Sequence, residues 1–182
     1  MTNILVLMAP GFEEIEAVTV IDLLRRAGIG VTTASITTER VVKGSHDIAI
    51  IADAIFKDLE TDKFDGIFLP GGQPGSNNLR QNGEVLEVLK SFDRKGKWIT
   101  AICAAPLVLL EAGILAGRKT TSYPAEKGSF PAESYQDENI VQDGHIITSR
   151  GVGTAVDFAL RLVEILQGKH NRDQLADRIL WK

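Results

Sequence analysis

A single cysteine in 182 residues rules out an internal disulfide and fits a reducing compartment. The three histidines, His46, His145 and His170, are scattered at no metal-ligand spacing, so no metal site is expected. Positive charge is not in excess: the formal net charge of −4 gives no support to a nucleic-acid or anionic-membrane partner. No apolar run approaches the roughly 20 residues of a membrane span. Met1 to Phe12 lacks the basic residue that precedes the apolar segment of a signal peptide. No glycine-rich phosphate motif follows a strand, so nucleotide cofactors are unsupported. The expectation is a cytoplasmic protein.

What is present reads as one α/β domain over 1–182, with 44% hydrophobic and 24% charged residues, ordinary values for a globular chain. Apolar strands are expected at Ile4–Met8, Val31–Ile36, Ile48–Ala52, Gly66–Leu69 and Trp98–Ile102, with a short one at Lys119–Ser122. Helical patterns cover Glu13–Ala27, closed by Gly28, then Glu84–Arg94, Leu107–Leu110, Thr154–Gln167 and Asp173–Trp181. Asn139–Ser149 reads as a hairpin around Asp143-Gly144. Strands apolar throughout, alternating with helices, indicate a mostly parallel sheet covered on both faces. Ligands of such sheets bind beyond the carboxyl ends of the strands, where Pro10-Gly11, Gly71-Gly72 and Cys103 all fall.

Cys103 ends a strand, and Pro106 suits the first turn of the helix that follows. Unpaired amides and the positive end of a helix dipole there would lower the thiol pKa, as in a nucleophile elbow. The plainer alternative is a free cysteine acting as a small buried hydrophobe.

On a helical wheel Phe12, Ala17, Val20, Ile21, Leu23, Leu24 and Ala27 cover one apolar half, and Glu16 falls inside it. A carboxyl on a core-facing stripe should have a raised pKa, which suits a hydrogen-bond donor to a thiolate or a base poised near neutrality. The alternative is a first-turn acid that favours the helix dipole and reaches water, a reading that fits Glu13 and Glu14 better. Gly71 and Gly72 let backbone amides approach a ligand and, with the amide of Ala104, could form an oxyanion hole. A Pro-Gly-Gly turn is also common as plain turn chemistry. His145, in a hairpin, and His170, near the C-terminal end, read as solvated or structural.

Gly11-Phe-Glu-Glu-Ile-Glu16, Asp22-Leu-Leu-Arg-Arg-Ala-Gly28, Leu69-Pro-Gly-Gly72, Ala101-Ile-Cys-Ala-Ala-Pro106 and Thr148-Ser-Arg-Gly-Val-Gly-Thr154 resemble the ThiJ/PfpI superfamily. Within it they resemble the parkinsonism-associated deglycase and YajL-like subgroup, and they span essentially the whole chain. The resemblance implies a flavodoxin-like α/β sandwich that dimerises and carries no cofactor. It implies that Cys103 is the nucleophile and Glu16 its protonated partner, with the amides of Gly72 and Ala104 as oxyanion hole and Gly71 lining the pocket. The deglycase has a histidine in a Thr-His-Pro segment where this chain has Thr121-Ser-Tyr-Pro124. Tyr123, with an unperturbed pKa of about 10, is no substitute for an imidazole base and is assigned to lining the pocket.

The leading expectation is a glyoxalase or deglycase acting on reactive dicarbonyls (methylglyoxal, glyoxal) or their protein adducts, with Glu16 shuttling a proton. The alternative is an oxidative-stress sensor or chaperone in which Cys103 becomes a sulfinate. A peptidase ranks low for want of a base. Ile15 and Val18 lie together on the opposite side of the first helix, near Asp22 and Arg25. Relatives dimerise through this helix, so these two residues are expected at a two-fold homodimer interface.

Overall fold

A computed structural model describes residues 2–182. The chain begins with strand β1 (Asn3–Met8) and helix α1 (Glu14–Arg26), followed by β2 (Gly30–Ser35), β3 (Val41–Lys43), β4 (Ala49–Ile51) and β5 (Ala54–Ile55). Next come β6 (Gly66–Leu69), α2 (Gly75–Gln81), α3 (Gly83–Arg94), β7 (Trp98–Ile102) and α4 (Pro106–Glu111). The hairpin β8 (Ile140–Asp143) and β9 (Ile146–Ser149) leads to α5 (Ala155–Gln167) and α6 (Lys169–Arg178).

Seven strands form one sheet in the order β5-β2-β1-β6-β7-β9-β8, parallel except for β8, which runs antiparallel to β9. This is a flavodoxin-like arrangement. Alternation along β1 divides the core. Leu5 and Leu7 face Leu89 of α3 and Val108 of α4. Ile4, Val6 and Met8 face Val20 of α1 and Phe158 of α5. Because both faces are covered, the central strands can be apolar at every position. Gly28, at φ +76°, ends α1 with its N–H on the Arg25 carbonyl, a left-handed position that glycine adopts without a Cβ penalty. The Asn82 side chain caps α3 by accepting the amides of Glu84 and Val85.

Three local expectations are corrected, and one helix is added. Lys119–Ser122 is not a strand: Thr120 makes one isolated bridge to Tyr135, because β9 is already flanked by β7 and β8. The 48–52 run does not join the main sheet. Its β4 pairs with β3 in a separate two-stranded ribbon, leaving Ile48 and Ile51 exposed, while β5 takes the edge of β2. The last helix starts at Lys169 rather than Asp173, packing Leu175 and Ala176 in the core shared with α5. Helix α2 has no counterpart in the sequence pattern, since Gly-Ser-Asn-Asn has low helix propensity; burial of Leu79 against the α3–α4 core overrides it. Among the described residues no helix is long and apolar enough to cross a membrane.

Candidate active site

The carboxyl ends of β1, β6 and β7 converge, and their loops bring Glu16, Gly71, Gly72 and Cys103 together. Cys103 sits between β7 and α4 at φ +63°, a left-handed conformation that is rare and strained for a side-chain-bearing residue. Two backbone bonds hold it there: its N–H donates to the Ser149 carbonyl (2.9 Å), and its carbonyl accepts from Tyr123 N–H (2.7 Å).

Glu16 is fully buried, as the helical wheel requires. Its Oε2 accepts the N–H of Gly71 at 2.9 Å, and its carboxyl faces the Cys103 side chain across Gly71. Its Oε1 is buried without a partner. Gly71 is wedged between the two side chains: a Cβ there would lie 2.5 Å from Cys103 Cβ and 2.6 Å from Glu16 Oε2. Gly72, at φ +90°, is equally constrained, since a Cβ would lie 2.4 Å from the Glu13 nitrogen. The backbone amides of Gly72 and Ala104 act on the Cys103 sulfur and favour its charged form, whereas the Gly71 N–H, named with them from the sequence, is bonded to Glu16 Oε2 and not free to face a ligand.

Electrostatics correct one expectation. Burial pushes the Glu16 carboxyl up to about 7, against the Cys103 side chain and the Gly71 hydrogen bond, which favour its charged form. Burial, reinforced by the charge of Glu16, pushes the Cys103 thiol up to about 12. The amides of Ala104 and Gly72 pull it down but do not prevail. Cys103 therefore does not ionise below a free thiol. Helix α4 is only six residues long and starts three residues beyond the sulfur, so its dipole is weak there.

Tyr123 is half exposed at the rim, with its ring near the thiol. Gly151 carries no signal of its own in the sequence, although it lies inside the Thr148–Thr154 motif. A Cβ built on it would lie 3.8 Å from Cys103 Sγ and 3.9 Å from Glu16 Oε1. Ile15 and Val18 are 55% and 48% exposed, on the side of α1 away from Glu16.

Glu13 and Glu14 also differ from expectation. Both are buried, and neither reaches water as a first-turn acid would. Ser45 and His46, from the turn between β3 and β4, close over them. His46 Nδ1 lies 3.0 Å from Glu14 Oε2 and 3.4 Å from Glu13 Oε2. Burial raises the Glu14 carboxyl, but the His46 ring and the amides of His46 and Ile48 outweigh it and hold it at about 2. Glu13, Glu14 and His46 are the group of metal-ligating side chains, among the described residues, close enough to share a cation. Chain spacing hides this cluster, because the turn between β3 and β4 brings His46 back to the start of α1.

Comparison with known proteins places this geometry. The model of the DJ-1/PfpI family matches residues 2–165. The chain is 44% identical to protein dj-1beta of Drosophila melanogaster over 178 residues, covering 97% of this chain and 95% of that protein. It is 40% identical to the glutathione-independent glyoxalase DJR-1.2 of Caenorhabditis elegans, covering 94% of this chain and 92% of that protein. Among solved structures, oxidized Toxoplasma gondii DJ-1 superposes with a TM-score of 0.96 at 37% identity, over 100% of this chain and 99% of that one. A cysteine held at a left-handed strand end beside a buried glutamate, in a chain matched over nearly its whole length, makes this protein a member of the DJ-1/PfpI family.

Proposed function

We propose that this protein is a glutathione-independent glyoxalase that converts small 2-oxoaldehydes to 2-hydroxy acids, with Cys103 as nucleophile and Glu16 as proton shuttle. The observation that carries the reading is the unpartnered, buried Glu16 Oε1 beside the Cys103 sulfur. A carboxyl poised at about 7 can both accept and return a proton near neutral pH.

The raised thiol sets the order of events. Sulfur adds to the aldehyde carbon of methylglyoxal as the thiol proton passes to the Glu16 carboxylate, so no free thiolate has to form first. The carbonyl oxygen gains the electron pair and is held by the amides of Gly72 and Ala104. Protonation of that oxygen by Glu16 gives the hemithioacetal and regenerates the carboxylate. Glu16 then removes the hydrogen from the former aldehyde carbon and delivers it to the neighbouring one, while the hydroxyl proton of the first carbon passes to the oxygen of the second. The first carbon is oxidised, the second is reduced, and a 2-hydroxyacyl thioester results. Water cleaves the thioester, releasing lactate and the free thiol; the sum is methylglyoxal plus water giving lactate, with no external oxidant. The glyoxalase name carried by DJR-1.2 supports the substrate class.

Incubation with methylglyoxal and no glutathione tests this. Wild type should form lactate, and Cys103→Ser should form none above the uncatalysed rate. Absence of lactate with wild type rules the reading out.

A second reading rests on the same donors. The amides of Gly72 and Ala104 and a protonated Glu16 Oε1 would hydrogen-bond the oxygens of a Cys103 sulfinate. The oxidized state named for the Toxoplasma gondii relative supports it. Mass spectrometry after peroxide treatment, showing two added oxygen atoms on Cys103 without loss of fold, is its test. Exposure of the adjacent Ile15 and Val18 supports a two-fold homodimer through α1.

A further inference from the structure

A methyl group fits over Gly151, beside the reacting atoms of Cys103 and Glu16. A Cβ at this position meets Tyr123 Cδ2 at 3.6 Å, Cys103 Sγ at 3.8 Å and Glu16 Oε1 at 3.9 Å. All three are ordinary van der Waals separations. One added carbon therefore fills this space without displacing any of the three.

Nothing else about the position calls for glycine. Gly151 has φ 160° and ψ −165°, extended backbone open to any residue. It is held in place by Thr154, whose hydroxyl accepts the Gly151 N–H (3.2 Å) and donates to the Gly151 carbonyl (2.8 Å). The wall is therefore fixed, and what the missing side chain leaves behind is room. Gly71 and Gly72 are different, since a Cβ at either would collide with neighbouring atoms.

Resting on the glyoxalase reading, we infer that Gly151 determines substrate size: its missing side chain forms the subsite for the methyl group of methylglyoxal. In the hemithioacetal that methyl is three bonds from the sulfur, on the carbon to which Glu16 returns the proton. It must therefore lie in van der Waals reach of both Cys103 Sγ and Glu16 Oε1, as the built Cβ does. The Tyr123 ring, 3.6 Å from the built carbon, is the nearest group that a substituent larger than methyl would meet.

The test compares kcat/KM for glyoxal and methylglyoxal in wild type and Gly151→Ala. Alanine should lower the methylglyoxal-to-glyoxal ratio of kcat/KM by about tenfold or more, the usual cost of one misplaced carbon. An unchanged ratio overturns the inference. So does a Gly151→Ala protein that fails to fold, because the room for one added carbon would then not exist. A wild type inactive on both aldehydes removes the glyoxalase reading instead. Labelling then decides the size role: Gly151→Ala should slow reaction of Cys103 with N-phenylmaleimide more than with iodoacetamide, and equal slowing overturns it.

Discussion

Glu16 and Cys103 face each other across Gly71, and burial drives both ionisations upward, the acid to about 7 and the thiol to about 12. The pair gives up its first proton near neutrality and its second only in strong base.

Replacing the charge but keeping a hydrogen-bonding side chain separates two roles of Glu16. In Glu16→Gln the thiol should ionise at lower pH, and a midpoint lower by one pH unit means about tenfold more thiolate at pH 9. Iodoacetamide alkylation at that pH should therefore be faster than in wild type, while methylglyoxal turnover disappears. Slower alkylation in the variant would mean that Glu16 activates the thiol instead of restraining it.

Glu16 also makes stability depend on pH. Its carboxyl lies near 4.5 when unperturbed and at about 7 in the fold. Its contribution is fully present below about 4.5 and is lost as pH rises through 7. Between pH 5 and 8 the melting temperature of Glu16→Gln should fall less than that of wild type, and the variant should be the more stable at pH 8. Parallel pH profiles would show that the buried carboxyl carries no such cost.

Glu14 has the opposite sign. Held at about 2 by His46 and backbone amides, it stabilises the fold above its ordinary value of 4.5. That contribution is lost as pH falls toward 2. Glu14→Gln should be less stable than wild type at neutral pH and show a flatter acid limb, measured as melting temperature between pH 2 and 6.

Tyr123→Phe should change kcat for methylglyoxal by less than about threefold, because the ring rather than the hydroxyl bounds the site. A loss comparable with that of Cys103→Ser would identify the phenol as a proton carrier.

Val18→Asp should convert the proposed dimer to monomers, since an unpaired charge buried at an interface costs several kcal/mol, roughly 3–5. Light scattering decides it. A monomeric wild type, or an unaltered dimer in the variant, removes the α1 interface.

Much of this molecule is legible in the sequence because its signals are local. β6 and β7 are bounded by apolar runs that end in Pro70 and Cys103. Glu16 stands out because the helical period alone decides that it points inward, and the fold leaves it with no exposed surface. Three features needed the tertiary structure. Whether 48–52 joined the sheet depended on which strand won the edge of β2, a competition between segments remote in sequence. The Glu13–Glu14–His46 cluster exists because a turn between two short strands folds back on α1. The ionisation of Cys103 depends on burial and on a carboxyl from another element, and both outweigh the local amides that by themselves imply a low pKa. Periodicity fixes which way a side chain points; its charge state depends on what the rest of the chain packs around it.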